Sequence, residues 1–124
     1  MDKKRVLIID DEENFCKLLK KNIEQNGEFE VYTANSGEEG ISLAKKVKPG
    51  LILLDVVMPE MDGGDVISLL QNDEETGDIP VVFLTAIVRE EEVSGQPNFF
   101  KGYSFLAKTV TVGELMACIK KNIR

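Results

Sequence analysis

The chain of 124 residues contains no histidine. It therefore cannot supply a Ser-His-Asp triad, a histidine general base or a histidine-bound zinc ion from its own side chains. Any chemistry carried by these residues must use carboxylates, hydroxyls, lysines or thiols.

Long apolar runs, a leader pattern and closely spaced cysteines are also missing. No apolar run approaches the roughly 20 residues that cross a bilayer, and the opening MDKKRVLIIDDEE has no signal-peptide pattern. Cys16 and Cys118 lie far apart in amphipathic patterns, which favours free thiols in a reducing compartment over a disulfide or a metal site. These features predict a cytoplasmic protein without membrane contact.

Positive charge is scarce. The chain has 22 Asp and Glu against 15 Lys and Arg, a formal net charge of −7. Nucleic-acid binding needs a basic face that displaces counterions, so we expect no direct contact with DNA or RNA. The length suits one domain with a sizeable core, and we expect a single domain over residues 1–124.

Short β-branched runs alternate with longer helical periodicities along the chain. The predicted strands are residues 5–9, 29–33, 51–54, 81–84 and 103–107, and the predicted helices are residues 12–25, a stretch from Ser36, residues 64–72 and a stretch from Thr111. Strict alternation implies a parallel sheet with helices on both faces. We predict a flavodoxin-like doubly wound α/β fold with a five-stranded parallel sheet in the order 2-1-3-4-5.

Each predicted helix carries an apolar face. The faces consist of Phe15, Leu18, Leu19 and Ile23 in the first helix, Ile41, Ala44 and Val47 in the second, Val66, Ile67, Leu69 and Leu70 in the third, and Leu115, Met116, Ile119 and Ile123 in the last. Two helices open with capping-box spacing, Ser36 to Glu39 and Thr111 to Glu114.

Five polar residues each follow a predicted strand directly. They are Asp10 and Asp11 after strand 1, Asp55 after strand 3, Thr85 after strand 4 and Lys108 after strand 5. Ligands of doubly wound sheets bind beyond the carboxyl ends of the strands, where the winding reverses. Three carboxylates meeting there repel by roughly 4 kcal/mol per close pair at an effective dielectric of 20. Mg²⁺ together with the lysine would neutralise them.

Each residue also has an ordinary structural interpretation. Asp10 or Asp11 could cap the first helix, with Glu13 favouring the helix dipole. Thr85 could be a plain strand-end threonine and Lys108 a solvated lysine. The arrival of all five residues at one edge of one sheet favours a site.

The acidic pair Asp10-Asp11, the run Asp55-Val-Val-Met-Pro-Glu-Met-Asp-Gly63, the pair Thr85-Ala86 and Lys108 form one pattern. With these motifs in this order, essentially the whole chain resembles the CheY-like receiver domain of bacterial two-component response regulators. The resemblance implies a phosphoacceptor signalling domain, which catalyses only its own phosphorylation and dephosphorylation and is otherwise not an enzyme.

The resemblance implies a role for each site residue. Asp55 would accept a phosphoryl group from a histidine kinase or a phosphotransfer protein. Asp11, Asp55 and the backbone carbonyl of Val57 would bind Mg²⁺, with Asp10 acting mainly through a bound water. Thr85 and Lys108 would contact the phosphoryl oxygens.

The resemblance also implies an output surface. A shift of Thr85 coupled to Phe105 would signal to a downstream protein or output domain through strand 5 and the helices on either side of it. Phe105 lacks the tyrosine hydroxyl, so only its packing could change. Burial of Phe105 as an ordinary core residue is the alternative interpretation.

Two features depart from the family pattern. Thr109 follows the lysine where the family usually has proline, and we expect a trans Lys108–Thr109 bond with a displaced loop. Gly95 and Pro97 should shorten the helix before strand 5 and leave residues 95–102 irregular. One ring of the pair Phe99 and Phe100 would then be partly exposed, with burial of both as the alternative.

Three other classes of protein compete with the resemblance. An aspartate-nucleophile phosphatase needs a second Asp two residues after the nucleophile, where this chain has Val57. A flavodoxin needs a first loop that cradles phosphate, whereas the acidic run from Asp10 would repel it. An unphosphorylated receiver-like scaffold remains open because of the departures from the family pattern.

Overall fold

The computed structural model describes residues 3–86 and 103–124. Five strands and four helices lie in these ranges: β1 (Lys4–Ile9), α1 (Glu13–Glu24), β2 (Phe29–Ala34), α2 (Gly37–Val47), β3 (Leu51–Asp55), α3 (Gly63–Gln71), β4 (Val81–Thr85), β5 (Ser104–Ala107) and α4 (Val112–Asn122). Every strand and helix predicted within these ranges is present. The predictions for residues 95–102, including Phe99 and Phe100, fall outside the described residues.

The five strands form one parallel sheet in the order β2-β1-β3-β4-β5, which confirms the predicted topology. The central strands are covered on both faces: β3 is buried at all five positions, and the last four residues of β1 are buried. Their continuous apolar sequence follows from this burial, because neither face meets water.

Alternate side chains of the strands feed two hydrophobic cores. One core joins Val6, Ile8 and Leu53 to α1 and α4. The other joins Leu7 and Leu54 to α2 and α3. The helices therefore lie on both faces of the sheet, as predicted.

Two predicted core positions are wrong. Leu18 of α1 is 56% exposed and Leu69 of α3 is 49% exposed. The buried stripe of α1 is made by Cys16, Leu19 and Ile23. A helix turns about 100° per residue, which places Leu18 well away from this stripe.

The helix caps agree with the sequence in part. The capping box between Thr111 and Glu114 is complete. At α2, Ser36 Oγ accepts from the backbone N–H of Glu39 at 3.1 Å, but the Glu39 carboxylate accepts from Asn35 N rather than from Ser36 N. Helix α3 begins with a further capping box, which was not predicted and is formed by Asp62 and Asp65.

Both cysteines are free, with Cys16 buried and Cys118 half-buried. The Lys108–Thr109 peptide bond is trans. Within residues 3–86 and 103–124, none of the helices combines the length and the apolar character that crossing a bilayer requires.

Candidate functional site

The predicted polar residues lie together at the carboxyl edge of the sheet. The register pairs Asp55 with Leu84 and Thr85 with Ala107, so these strands end at one level. The edge holds a cleft of about 420 Å³. Its lining consists of Asp11, Glu12, Asp55, Val56, Val57, Thr85, Ala86 and Lys108.

Three carboxylates cluster beside this cleft. One carboxylate oxygen from each of Asp10, Asp11 and Asp55 lies within 4.8 Å of the other two. Asp10 is 0% exposed and Asp55 is 5% exposed, whereas Asp11 is exposed. Two acids are thus removed from water and the third faces solvent, which leaves the cluster accessible from outside.

Among the residues that the structure describes, Lys108 supplies the positive charge at this cluster. Its Nζ lies 2.7 Å from Asp10 Oδ2, 2.9 Å from Glu12 Oε1 and 3.5 Å from Asp55 Oδ2, and its side chain is only 12% exposed. Burial alone lowers the pKa of this amine, but hydrogen bonds and charge from the surrounding carboxylates outweigh that effect and raise it. Lys108 is therefore a fixed positive charge, and the interpretation as a solvated lysine is wrong.

Two neighbours of Lys108 were not among the predicted site residues. Glu12 contributes the exposed carboxylate, and the ring of Phe15 lies under the amine with its centroid 4.9 Å from Nζ. The sequence carries a signal for Glu12, because it is the third acid in the run that begins at Asp10. It carries none for Phe15, whose position in the apolar face of α1 indicates only packing.

Burial raises the pKa of Asp55 from its usual 3.8 to about 6, and the charge of Asp10 adds to this rise. Lys108 and the backbone N–H of Val57, which lies 3.4 Å from Asp55 Oδ1, act in the opposite direction. The rise in pKa shows that the nearby positive charge does not fully compensate this carboxylate.

Two contacts hold the Asp10 carboxylate in place. Its Oδ1 accepts from the backbone N–H of Glu12 at 2.9 Å. Helix α1 has Glu12 as its N-cap residue, and no side chain caps it, so neither Asp10 nor Asp11 is the helix cap. The contact of the buried Oδ2 with Lys108 is an ion pair.

The loop after β3 brings backbone close to Asp55. A Cβ on Gly63 would lie 2.9 Å from the Asp55 carbonyl oxygen, so glycine is required there. Glu60 has a φ of +67°, which is unusual for a residue with a side chain. Val57 is 76% exposed at the mouth of the cleft.

The two predicted switch residues lie on neighbouring strands. Thr85 is half-buried and lines the cleft. Phe105 is half-buried, and its ring stacks on Phe83 with centroids 5.5 Å apart and planes at 28°. Packing thus links Phe105 to the core, and its role as a switch stays a prediction.

The cluster fits a hard divalent cation. Mg²⁺ prefers carboxylate and carbonyl oxygens and keeps several waters. Asp10, Asp11 and Asp55 each offer a carboxylate oxygen, and these oxygens lie within 4.8 Å of one another. These residues have the chemistry and the net charge that such an ion requires.

The fold and the cleft define a doubly wound α/β domain with an acidic site at the strand ends. Comparison with known families then identifies the class: the model of the response regulator receiver domain matches residues 6–120, and the chain belongs to this family. The flavodoxin and phosphatase interpretations are therefore set aside.

Two curated relatives match nearly the whole chain. The alkaline phosphatase synthesis transcriptional regulatory protein PhoP of Bacillus subtilis is 40% identical, over 98% of this chain and 49% of that protein. The DNA-binding dual master transcriptional regulator RpaA of Synechocystis is 36% identical, over 97% of this chain and 49% of that protein. The chain spans about half the length of these relatives.

Solved structures share the fold. The chemotaxis protein CheY4 of Vibrio cholerae superposes with a TM-score of 0.86 at 23% identity, covering 98% of this chain and 100% of that one. A response regulator from Desulfuromonas acetoxidans gives a TM-score of 0.82 at 26% identity, covering 95% and 94%.

Proposed function

We propose that Asp55 of this receiver domain accepts a phosphoryl group from a phosphohistidine on a histidine kinase or a phosphotransfer protein. One observation carries the proposal: Asp55 is a nearly buried carboxylate at the cleft, with its Oδ2 3.5 Å from the lysine amine of Lys108. The absence of histidine from this chain fits a donor histidine that belongs to the partner.

In the proposed transfer a carboxylate oxygen of Asp55 attacks phosphorus. The bond from phosphorus to the imidazole nitrogen breaks as the new oxygen–phosphorus bond forms, and the imidazole retains the electron pair. With a pKa of about 6, Asp55 is mostly ionised at pH 7 and is available as the nucleophile.

Lys108 and Thr85 would hold the transferred group. The amine of Lys108 is fixed by Asp10 and Glu12 within reach of Asp55, so it can pair with a phosphoryl oxygen without much reorganisation. Thr85 lines the same cleft and would donate its hydroxyl to another phosphoryl oxygen.

Asp10, Asp11, Asp55 and the carbonyl of Val57 would hold Mg²⁺. When bound, the ion supplies positive charge next to the phosphoryl oxygens. The support from this chain is the cluster of three carboxylates, since Lys108 contributes one positive charge, paired with Asp10 and Asp55, and leaves negative charge to be balanced.

The output of the phosphorylated state would pass through Thr85 and Phe105 to a downstream protein or output domain. The two relatives described above are transcriptional regulators about twice as long as this chain. We propose that residues 1–124 act as the receiver part of such signalling and do not contact nucleic acid themselves.

The test is phosphorylation of the chain by acetyl phosphate in Mg²⁺, followed by intact mass. We expect wild type to gain one phosphoryl group and Asp55→Asn to gain none. Asp78→Asn is the matched control, because Asp78 is an exposed aspartate outside the cleft and that variant should be labelled like wild type. An unlabelled wild type would favour the receiver-like scaffold, and equal labelling of Asp55→Asn would place the acceptor elsewhere.

A further inference from the structure

Asn35 links the loop after β2 to the acidic pair. Its side-chain Nδ2 donates to the backbone carbonyl oxygen of Asp10 at 2.9 Å, across 25 residues of sequence. Cys16 Sγ donates to the same oxygen at 3.4 Å. Asn35 Nδ2 also lies 3.6 Å from this sulfur. One amide and one thiol thus converge on a single carbonyl beside the site.

Asn35 is itself held in place. Its backbone N–H donates to Glu39 Oε1 at 2.9 Å, on the first turn of α2. The preceding residue, Ala34, accepts from the backbone N–H of Asp10 at 3.0 Å. The amide of Asn35 therefore reaches Asp10 from a backbone that is anchored on both sides.

The bonded carbonyl belongs to the peptide that joins Asp10 to Asp11. A peptide unit is planar, so fixing its oxygen also fixes the direction of the Asp11 N–H and restricts the Cα of both residues. Mutual repulsion favours separation of the three carboxylates, and Asp11 is the exposed member that can turn towards solvent. A restraint on this peptide opposes that movement.

We propose that Asn35 is a positioning residue, which orients Asp10 and Asp11 towards Mg²⁺ by donating to the carbonyl between them. The inference rests on the proposed function, since it assigns a residue outside the cluster to the same metal site. Asn35 contributes no ligand. It raises metal affinity by reducing the conformations in which the two carboxylates point apart.

The chain offers matched variants for a test. Asn35→Ala removes the donor from an exposed position, and the variant should fold. Asn35→Asp keeps the shape but replaces the donor by a carboxylate, whose added negative charge would by itself attract Mg²⁺. Ser36→Ala, one residue on, removes the N-cap bond of α2 but leaves the Asp10 carbonyl bonded, so it reports loop stability alone.

The experiment is a calorimetric titration of each variant of residues 1–124 with Mg²⁺, with folding checked by circular dichroism. A net hydrogen bond corresponds to roughly 3- to 10-fold in affinity, so we expect Asn35→Ala to bind Mg²⁺ that much more weakly. Asn35→Asp should also bind more weakly, and Ser36→Ala should lie within about twofold of wild type. In acetyl phosphate labelling, Asn35→Ala should need more Mg²⁺ for half-maximal rate while its rate at saturating Mg²⁺ stays close to that of wild type.

Equal affinity of wild type and Asn35→Ala, or tighter binding by Asn35→Asp, would overturn the role of Asn35 and leave the proposed function intact. An equal loss in Asn35→Ala and Ser36→Ala would reduce the role to loop stability and would overturn the inference as well. A wild type that is not labelled and does not bind Mg²⁺ would overturn both proposals. These outcomes distinguish failure of the role of Asn35 from failure of the proposed function.

Discussion

Charged side chains are arranged differently at the two ends of the strands, which form the amino edge and the carboxyl edge of the sheet. At the amino edge, Arg5 Nη1 donates to the Val47 carbonyl at 2.8 Å and Arg124 Nη1 to the Asp78 carbonyl at 2.6 Å. At the carboxyl edge, one buried lysine faces the carboxylates of Asp10, Glu12 and Asp55. At the amino edge the arginines bond backbone carbonyls, and Arg5 also lies 3.7 Å from the carboxylate of Glu30, so positive charge is matched there. The carboxyl edge gathers more negative charge than Lys108 balances.

The two edges also differ in their expected contribution to the stability of the fold. Contacts of the amino edge hold the chain end against the start of β3, with Arg124 N donating to Gly50 O at 3.1 Å. Burial at the carboxyl edge raises the pKa of Asp55, which marks an ionised state that the fold disfavours. Perturbed pKa values of this kind are common at functional sites.

The largest expected effect comes from the cation itself. Removing Mg²⁺ with a chelator, or changing Asp11→Asn, should slow phosphorylation by acetyl phosphate on the order of 10²-fold, because several kcal/mol of charge stabilisation is lost. Asp78→Asn at the amino edge is the control and should keep the wild-type rate. Rates from intact mass over time make the measurement. An unchanged phosphorylation rate in chelator would contradict a role for Mg²⁺.

The lysine should matter nearly as much. Lys108→Ala removes the amine that would pair with the phosphoryl group, and we expect a rate about 10²-fold lower with folding verified by circular dichroism. Lys120→Ala is the control, because it removes another lysine amine that lies outside the cleft. The Nζ of Lys120 lies 3.4 Å from Oε1 of the exposed Glu28. Equal rates in the two variants would contradict the role of Lys108.

Stability should change in the opposite direction to activity. In chelator at pH 7, Asp55→Asn should raise the free energy of unfolding by roughly 3 kcal/mol, because it removes a buried charge whose pKa is raised to about 6. The raised pKa means that Asp55 stabilises the fold below about pH 4 and loses this contribution as pH rises through 6. The gain in the variant should therefore shrink towards pH 4.

Urea unfolding at several pH values provides this measurement. Asp78→Asn, an exposed change at the amino edge, should stay within about 0.5 kcal/mol of wild type at each pH. A destabilised Asp55→Asn at pH 7 would show that the carboxylate is well compensated, and the contrast between the two edges would be lost.

The smallest expected effect concerns loss of the phosphoryl group. Val57 is 76% exposed at the cleft and is apolar, so it cannot orient an attacking water. Val57→Glu or Val57→Asn should shorten the lifetime of the phosphorylated chain by about tenfold or less. Leu69→Asn changes another exposed apolar residue, on α3, and should leave the lifetime unchanged. Equal lifetimes in all variants would remove Val57 from the account.

The fold and most of the site were predictable from the sequence for a physical reason. Continuous apolar runs mark strands covered on both faces, and polar residues directly after them must meet at one edge of a parallel sheet. Asp10, Asp55 and Lys108 were found in this way.

Other features depend on tertiary contacts that no local pattern encodes. The bond from Asn35 to Asp10 spans 25 residues, and the exposed position of Leu18 follows from which stripe of α1 meets the sheet. The placement of Phe15 beneath the lysine amine is of the same kind.

The central claim is that Asp55 is the one aspartate of the carboxyl edge that accepts the phosphoryl group. The most direct measurement is to phosphorylate wild type in Mg²⁺, reduce the acyl phosphate with borohydride and map the resulting homoserine by peptide mass spectrometry. We expect homoserine at position 55 alone. Homoserine at position 10 or 11, or only at aspartates outside the cleft, would contradict it.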